Sequence, residues 1–271
     1  MIGARRLCLC IDDVGLHPGV ANAALQLLAL GRVQALSVMV GGPALRHALT
    51  LLRSLDPLAV DIGLHLDFTE HPLVAGSRRS LPALLAAGLL HRLPMDTLRA
   101  EVAAQLDAFE DALGRPPAFV DGHRHVHQIP QLRLALVDEL ARRGDTPRPW
   151  LRSTRAPGRT ASLKARLLAQ LGGRGLARLA HERGHAQNKH LLGVYDFEGG
   201  TVRYRRLLAG WLQAAEDGDL LMCHPATSAP ADDEIGAARK AEFAVLAEPA
   251  FADALRQHGI ELRPPGRPVA A

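Results

Sequence analysis

The chain has 271 residues, of which 48% are hydrophobic, which is enough apolar material for one sizeable core. Its formal net charge of +4 comes mostly from arginines spread along the chain, and only 4% of the residues are aromatic. Nucleic-acid binding needs basic residues clustered on one face with aromatic side chains between them, so we expect no nucleic-acid partner. No apolar run approaches the roughly 20 residues needed to span a bilayer, although peripheral contact with a membrane is left open.

The cysteines and the N-terminal sequence both indicate a cytoplasmic protein. Cys8 and Cys10 alternate in an apparent strand and Cys223 is distant in sequence, so the spacing implies no disulfide framework and favours buried, inert thiols. The apolar run at residues 7–11 is too short for the core of a signal peptide. We expect one domain over residues 1–271, with a frayed tail from about residue 264.

Short apolar segments alternate with amphipathic helical segments along the whole chain. Helices are predicted over residues 20–30, 44–55, 97–113, 131–143, 163–183 (as one or two helices), 204–216 and 240–258. Strands are predicted over residues 7–11, 35–40, 59–66, 118–121, 150–153, 219–223 and 260–262. This alternation implies a parallel sheet with crossover helices, as a (β/α) barrel or an open doubly wound sheet.

Polar residues capable of chemistry follow one predicted strand after another, which favours the barrel. In (β/α) barrels the active site is built at the C-terminal ends of several strands. The first strand is followed by two aspartates and not by a glycine-rich phosphate loop, so a dinucleotide-binding fold is disfavoured. The polar groups at the strand ends are Asp12-Asp13, His65 with Asp67, Asp121 to His127, Arg152, and Cys223-His224.

The adjacent carboxylates of Asp12 and Asp13 repel each other, and a nearby cation would remove that cost. The alternative is that one of them caps the following helix. His65, in a largely apolar strand, is either a ligand of this cation or a hydrogen-bonded core histidine. The residues alone leave both alternatives open.

The segment from Asp121 to His127 contains three histidines at every second position. If the strand continues through it, Asp121, His123 and His125 share one face. Residues on the same side of a strand are about 6.6 Å apart, so we expect only one or two of these histidines to reach a metal. Two imidazoles and one carboxylate leave coordination positions open, as in catalytic metal sites.

Four motifs in this order resemble the YdjC-like carbohydrate deacetylases, a family that includes chitooligosaccharide deacetylases and a hopanoid-associated branch. Each motif alone is weak, but the order and the spacings are similar over nearly the whole chain, from about residue 7 to residue 262. The motifs are Ile11-Asp12-Asp13-Val14-Gly15-Leu16, Gly63-Leu64-His65-Leu66, Asp121-Gly122-His123-Arg124-His125-Val126-His127 and Cys223-His224-Pro225.

The resemblance implies a deformed (β/α) TIM-like barrel, one divalent metal ion (Zn²⁺ or Mg²⁺) and a homodimer. By position it implies Asp13, His65 and His123 as the metal ligands and Asp12 as the catalytic base. The expected reaction is removal of an N-acetyl group from an amino sugar, either a chitooligosaccharide or a glycolipid-linked N-acetylglucosamine. In this reaction metal-activated water attacks the acetamide.

The other polar strand-end residues are assigned supporting roles. We expect His224 to act as the acid and Arg152 to orient Asp12 or contact substrate; the alternatives are a buried strand-end histidine and a surface charge. Asp121, His125 and His127 are predicted to contact substrate. The leucine-rich helical segments at residues 81–93 and 163–179 would suit a lipid-linked sugar, or else they are ordinary core faces.

Two other classes of function are consistent with these residues. A metal-dependent phosphoesterase uses similar ligands, but it usually needs two metals and more bridging carboxylates. A non-catalytic sugar- or lipid-binding protein with a residual metal site would bind metal without turnover.

Overall fold

A computed structural model describes residues 4–144, 146–158 and 161–265. All strand pairs in this part of the chain are parallel, in the order β5-β4-β3-β2-β1-β7-β6, with β8 beside the start of β1. The strands are β1 (Arg5–Val14), β2 (Ala35–Val38), β3 (Asp61–Leu66), β4 (Phe119–Gly122), β5 (Trp150–Leu151), β6 (Leu191–Leu192), β7 (Asp219–Cys223) and β8 (Ile260–Leu262).

The two ends of this strand order approach each other. The backbone N–H of Leu151 donates to the carbonyl of Ala186 at 2.9 Å, and that of Leu191 donates to the carbonyl of Arg155 at 2.8 Å. These bonds join the β5 and β6 sides of the curled sheet. The predicted deformed (β/α) barrel is therefore confirmed.

Helices connect the strands and cover the outside of the barrel. They are α1 (Pro18–Ala29), α2 (Leu45–Ser54), α3 (Leu81–Leu89), α4 (Met95–Leu113), α5 (Pro130–Arg143), α6 (Leu163–Leu168), α7 (Arg174–Glu182), α8 (Gly200–Ala214), α9 (Gly236–Ala247) and α10 (Pro249–Gln257). The single last helix predicted over residues 240–258 is wrong, because Pro249 cannot continue α9 and instead begins α10. None of the described helices combines the length and apolar composition that a membrane crossing requires.

Alternation along β1 separates two cores. Leu7, Leu9 and Ile11 pack in the layer between the sheet and the helices. Cys8 and Cys10 point to the opposite side, where they pack with the stacked rings of a phenylalanine and a tryptophan and with apolar residues of β6 and β7 inside the barrel. All three cysteines are buried thiols outside any disulfide, as predicted. Asp12, two residues after Cys10, therefore belongs to the barrel interior.

The strand does not continue through the three histidines, so the condition under which Asp121, His123 and His125 would share one face is not met. β4 ends at Gly122, and the next residues form a 3-10 helix, His123–Gln128. Arg124 and His125 inside it have left-handed φ values of 52° and 59°, so the chain turns sharply instead of continuing the pleat. The three histidine side chains consequently point to different places. The predicted frayed tail begins at about residue 264, and its part beyond Pro265 lies outside the described residues.

Candidate active site

A cavity of about 1420 Å³ opens at the C-terminal ends of the strands. The ends of β1, β3, β4 and β7 supply the side chains at its base, as expected for a site in a parallel barrel. The sequence-predicted residues that line it are Asp12, Asp13, His65, His123, His125 and His224. The structure therefore brings together residues up to 212 positions apart in sequence, from Asp12 to His224.

Two neighbouring aspartates reach the same site because the backbone of β1 is irregular at its end. The register between β1 and β2 shifts between Ile11 and Val14, and Asp13 has a left-handed φ of 62°. In a regular strand Asp12 and Asp13 would point to opposite faces. The bulge turns Asp13 back toward the cavity. Neither aspartate caps α1, because the N-cap position is His17.

Asp13, His65 and His123 form a buried group whose ligand atoms lie within 4.8 Å of one another. Oδ1 of Asp13 is 3.2 Å from Nε2 of His65 and 2.9 Å from Nδ1 of His123. Ligands at about 2.0–2.1 Å from a tetrahedral metal lie roughly 3.3 Å apart, so these atoms are already near the required spacing. The three residues fit a divalent cation with coordination positions left open.

Each of the two histidines also faces a second carboxylate on its outer nitrogen. Nδ1 of His65 donates to Asp121 at 2.6 Å, and Nε2 of His123 donates to Glu70 at 3.0 Å. Outer carboxylates of this kind fix the orientation and tautomer of metal-binding histidines. Burial alone would lower the pKa of both rings, but the surrounding carboxylates raise the pKa of His65 to about 10 and that of His123 to about 9.

Arg152 lies behind Asp12, fully buried. Its guanidinium donates to the two oxygens of Asp12 at 2.5 and 2.6 Å, contacts Cys10, and forms a close ion pair with Asp121. Burial would raise the pKa of the Asp12 carboxyl, but this guanidinium outweighs it and lowers the pKa well below its usual range. Asp12 is therefore ionised, and Arg152 is a buried partner of Asp12 and not a surface charge.

His224 follows β7 at the opposite side of Asp12. Its Nε2 lies 3.9 Å from Oδ2 of Asp12, and its ring packs edge-on against Phe197. Burial lowers the pKa of His224 to about 4, so the ring is neutral at pH 7. Its backbone N–H donates to the buried Glu242 at 2.6 Å, and Tyr195 donates to the other oxygen of Glu242 at 2.7 Å.

Of the three residues predicted to contact substrate, only His125 lines the cavity. Asp121 is fully buried and is committed to His65 and Arg152. His127 is also fully buried, and its Nε2 donates to the carbonyl of Arg152 at 2.9 Å. Both side chains lie behind the cavity wall because the 3-10 turn and the end of β4 direct them toward the barrel interior.

Sequence reasoning missed three charged residues of the site. Glu70 and Arg239 line the cavity, and Arg239 donates to Oδ2 of Asp13 at 2.8 Å. Asp233 accepts from the Arg239 side chain at 2.8 Å. These residues lie in connections or in the first turn of a helix, where no pattern of periodicity marks them. The one sequence signal that could have identified them is that they follow a strand-end motif within the same connection, as Arg239 follows His224.

The chain is similar to known proteins in sequence and in fold. A family model described as YdjC-like protein matches residues 6–257. Chitooligosaccharide deacetylases of Salmonella dublin and Salmonella enteritidis PT4 are each 33% identical over 150 residues, which is 52% of this chain and 57% of each relative. The match thus spans little more than half the length of these curated relatives.

Solved structures share the fold. A protein of Enterococcus faecalis V583, provisionally named a cellobiose-phosphate cleavage protein, superposes with a TM-score of 0.71 over 96% of this chain and 97% of its own, at 19% identity. A family 4 acetyl xylan esterase of Clostridium thermocellum, solved with a cobalt ion, superposes with a TM-score of 0.50 over 95% of this chain and 87% of its own, at 12% identity. These structures show the shared fold, and the family model, which matches most of the chain, shows that the chain belongs to the YdjC-like protein family.

Proposed function

We propose that the chain is a metal-dependent carbohydrate deacetylase that removes the N-acetyl group from an amino sugar. The observation that carries this proposal is the buried Asp13–His65–His123 group beside Asp12 and His224, at the base of one cavity. The curated names of the Salmonella relatives support the same activity.

The donor set favours a transition metal such as Zn²⁺ over Mg²⁺, because two imidazoles are among the three ligands and Mg²⁺ prefers oxygen. When bound, such a cation acidifies water and polarises a carbonyl oxygen. The protein itself would hold the ligand atoms of Asp13, His65 and His123 at a fixed spacing. Asp121 and Glu70 orient the two imidazoles from behind.

Asp12 is proposed as the base. Arg152 holds both of its oxygens and keeps the carboxylate ionised, so it is ready to accept a proton from the attacking water. The low pKa of Asp12 means that it does not retain this proton. Arg152 is thus a positioning residue for the base.

His224 is proposed to deliver a proton to the departing nitrogen. A neutral imidazole is a very weak acid, so the ring must first receive a proton, and Asp12 lies 3.9 Å from its Nε2. Because burial lowers the pKa of the protonated ring to about 4, it would be a strong donor once charged. The water oxygen would bond to the acetyl carbon, the C–N bond would break, and one water proton would reach the leaving nitrogen by way of Asp12 and His224. The products would be an amino sugar and acetic acid, which loses its remaining acidic proton to solvent at neutral pH to give acetate.

The residues that line the cavity wall support one class of substrate. His125 is the predicted substrate contact that lines the cavity, and Leu163 and Leu167 on α6 line its mouth with 73% and 53% of their surfaces exposed. Exposed leucines beside a polar site suit a sugar that carries an apolar group. This supports a glycolipid-linked N-acetylglucosamine, with a chitooligosaccharide as the second substrate to test.

We also propose a cytoplasmic homodimer. Three buried thiols outside any disulfide suit a reducing compartment. Sedimentation analysis of the purified protein at micromolar concentration tests the dimer, and fractionation of cells tests the compartment.

A two-metal phosphoesterase would need a second metal site, and the only other cluster of possible ligands among the described residues is already occupied by a guanidinium. Cys10, Asp12 and Asp121 come together as a metal site would require, but the guanidinium of Arg152 lies among them. Metal-loaded protein should therefore release acetate from N-acetylated sugars and no phosphate from sugar phosphates. Metal binding without turnover on a panel of acetylated sugars would favour the non-catalytic alternative.

A further inference from the structure

The two oxygens of Asp13 have different partners. Oδ1 faces both imidazoles of the metal-ligand group, at 3.2 and 2.9 Å. Oδ2 accepts a hydrogen bond from Nη2 of Arg239 at 2.8 Å. The carboxylate is 1% exposed and the guanidinium 2% exposed, so solvent does not compete for this bond. One oxygen of Asp13 therefore faces the two histidines, and the other is bonded to the buried guanidinium of Arg239.

Arg239 is itself held in place from the other side. Its Nε donates to Oδ2 of Asp233 at 2.8 Å, and the same oxygen accepts from Nε2 of His17 at 3.2 Å. His17 precedes α1, whereas Arg239 lies in the first turn of α9. The contacts thus join the β1–α1 connection to the segment after β7 and fix the guanidinium beside Asp13.

We infer that Arg239 is a positioning residue that restricts Asp13 to binding the metal through Oδ1 alone. This inference rests on the proposed metal site. A carboxylate can bind a metal through one oxygen or both. A guanidinium N–H directed at Oδ2 competes with a second metal–oxygen bond for that oxygen and places a positive charge beside it. One coordination position is thereby kept for water or for the acetyl oxygen of the substrate.

Arginine suits this task better than lysine. Its planar guanidinium can bond two carboxylates through different nitrogens, as it does here with Asp13 and Asp233, while an ammonium group is a single point charge. Arg239→Lys would keep the charge but not both bonds. This variant therefore separates the geometric role from simple charge compensation.

The test uses the purified full chain loaded with Co²⁺, whose visible absorption weakens as its coordination number rises. In Arg239→Gln the spectrum should change toward the higher coordination number, and the dissociation constant for Co²⁺ should rise by about 10- to 100-fold, as for other outer partners of metal ligands. Arg239→Lys should show a smaller change of the same kind. Arg143→Gln is the matched control, because Arg143 pairs with Asp107, Glu110 and Glu139 on the outer helices.

Several outcomes would overturn the inference. A wild-type protein that binds no Co²⁺ would refute the metal site and the inference with it. A wild type that binds Co²⁺, with an unchanged spectrum and affinity in Arg239→Gln, would refute the inference alone, as would an equal effect of Arg143→Gln. If Arg239→Gln does not fold, Asp233→Asn replaces it, because it loosens Arg239 without removing the partner of Asp13; an unchanged spectrum and affinity there would also overturn the inference.

Discussion

Oδ2 of Asp12 lies 3.9 Å from Nε2 of His224, and the two side chains come from the ends of neighbouring parallel strands, β1 and β7. Asp12 is kept ionised by Arg152, and His224 is kept neutral by burial. The surroundings lower the pKa of both side chains, and neighbouring titratable groups with shifted pKa values are typical of acid–base sites.

We expect Asp12→Asn to retain the metal and to lose turnover by a factor of about 10² to 10⁴, which is the usual cost of removing a general base. Asp13→Asn is the matched comparison, one residue away, and it should weaken metal binding itself. Elemental analysis and acetate release on both variants check this. Equal loss of metal from the two variants would contradict the division of roles.

His224→Ala should slow an N-acetyl sugar far more than an activated aryl acetate, because the aryl oxygen leaves without needing a proton. Metal content should be unchanged. His71→Ala serves as a control, since His71 lines the same cavity but has no place in the proposed chemistry. A parallel loss on both substrates would leave His224 with a positioning role only.

Metal binding should release protons. In the metal-free protein both nitrogens of His65 and of His123 face carboxylates, and the raised pKa values of about 10 and 9 mean that both rings are protonated at pH 7. A metal must displace one proton from each ring, so affinity should increase as the pH rises from 6 to 9. Calorimetry in buffers of different ionisation enthalpy should give about two protons per metal at pH 7. A value near zero would show that the rings are neutral.

The α6 leucines should matter only for substrates with an apolar group. Combined Leu163→Ser and Leu167→Ser should raise the KM for an alkyl-linked N-acetylglucosamine by roughly tenfold, since fully burying a leucine is worth about 1.5–3 kcal/mol and these two would be only partly covered. The KM for chitobiose should not change. Leu25→Ser on α1, at a leucine that is 54% exposed, is the control. Equal effects on both substrates would argue against a lipid-linked sugar.

Periodicity predicted a parallel sheet with crossover helices, strand-end chemistry favoured a barrel over an open sheet, and the family resemblance implied a deformed barrel. The strands β7 and β8 have the predicted bounds. The strand β6 was missed because its two residues give no measurable alternation. The turn after β4 could not be predicted, because a hydrophobic pattern does not reveal two successive residues with left-handed φ values.

The candidate site was predictable where residue type and strand end coincide. All three proposed ligands lie together, and Asp12 and His224 lie beside them. Arg239 and Glu70 were not predictable, because their role depends on which connections fold over the barrel mouth. The burial of Arg152 likewise depends on the arrangement of three strands around it.

In the proposed function, one metal ion held by Asp13, His65 and His123 is required for deacetylation. The most direct test of this requirement is acetate release from an N-acetylated amino sugar, followed while Zn²⁺ or Co²⁺ is titrated into metal-free protein. We predict that the rate rises linearly and reaches a plateau at one equivalent of metal, and that the double variant His65→Ala with His123→Ala shows no rise. Full activity in the metal-free protein, or a plateau only at two equivalents, would contradict the account.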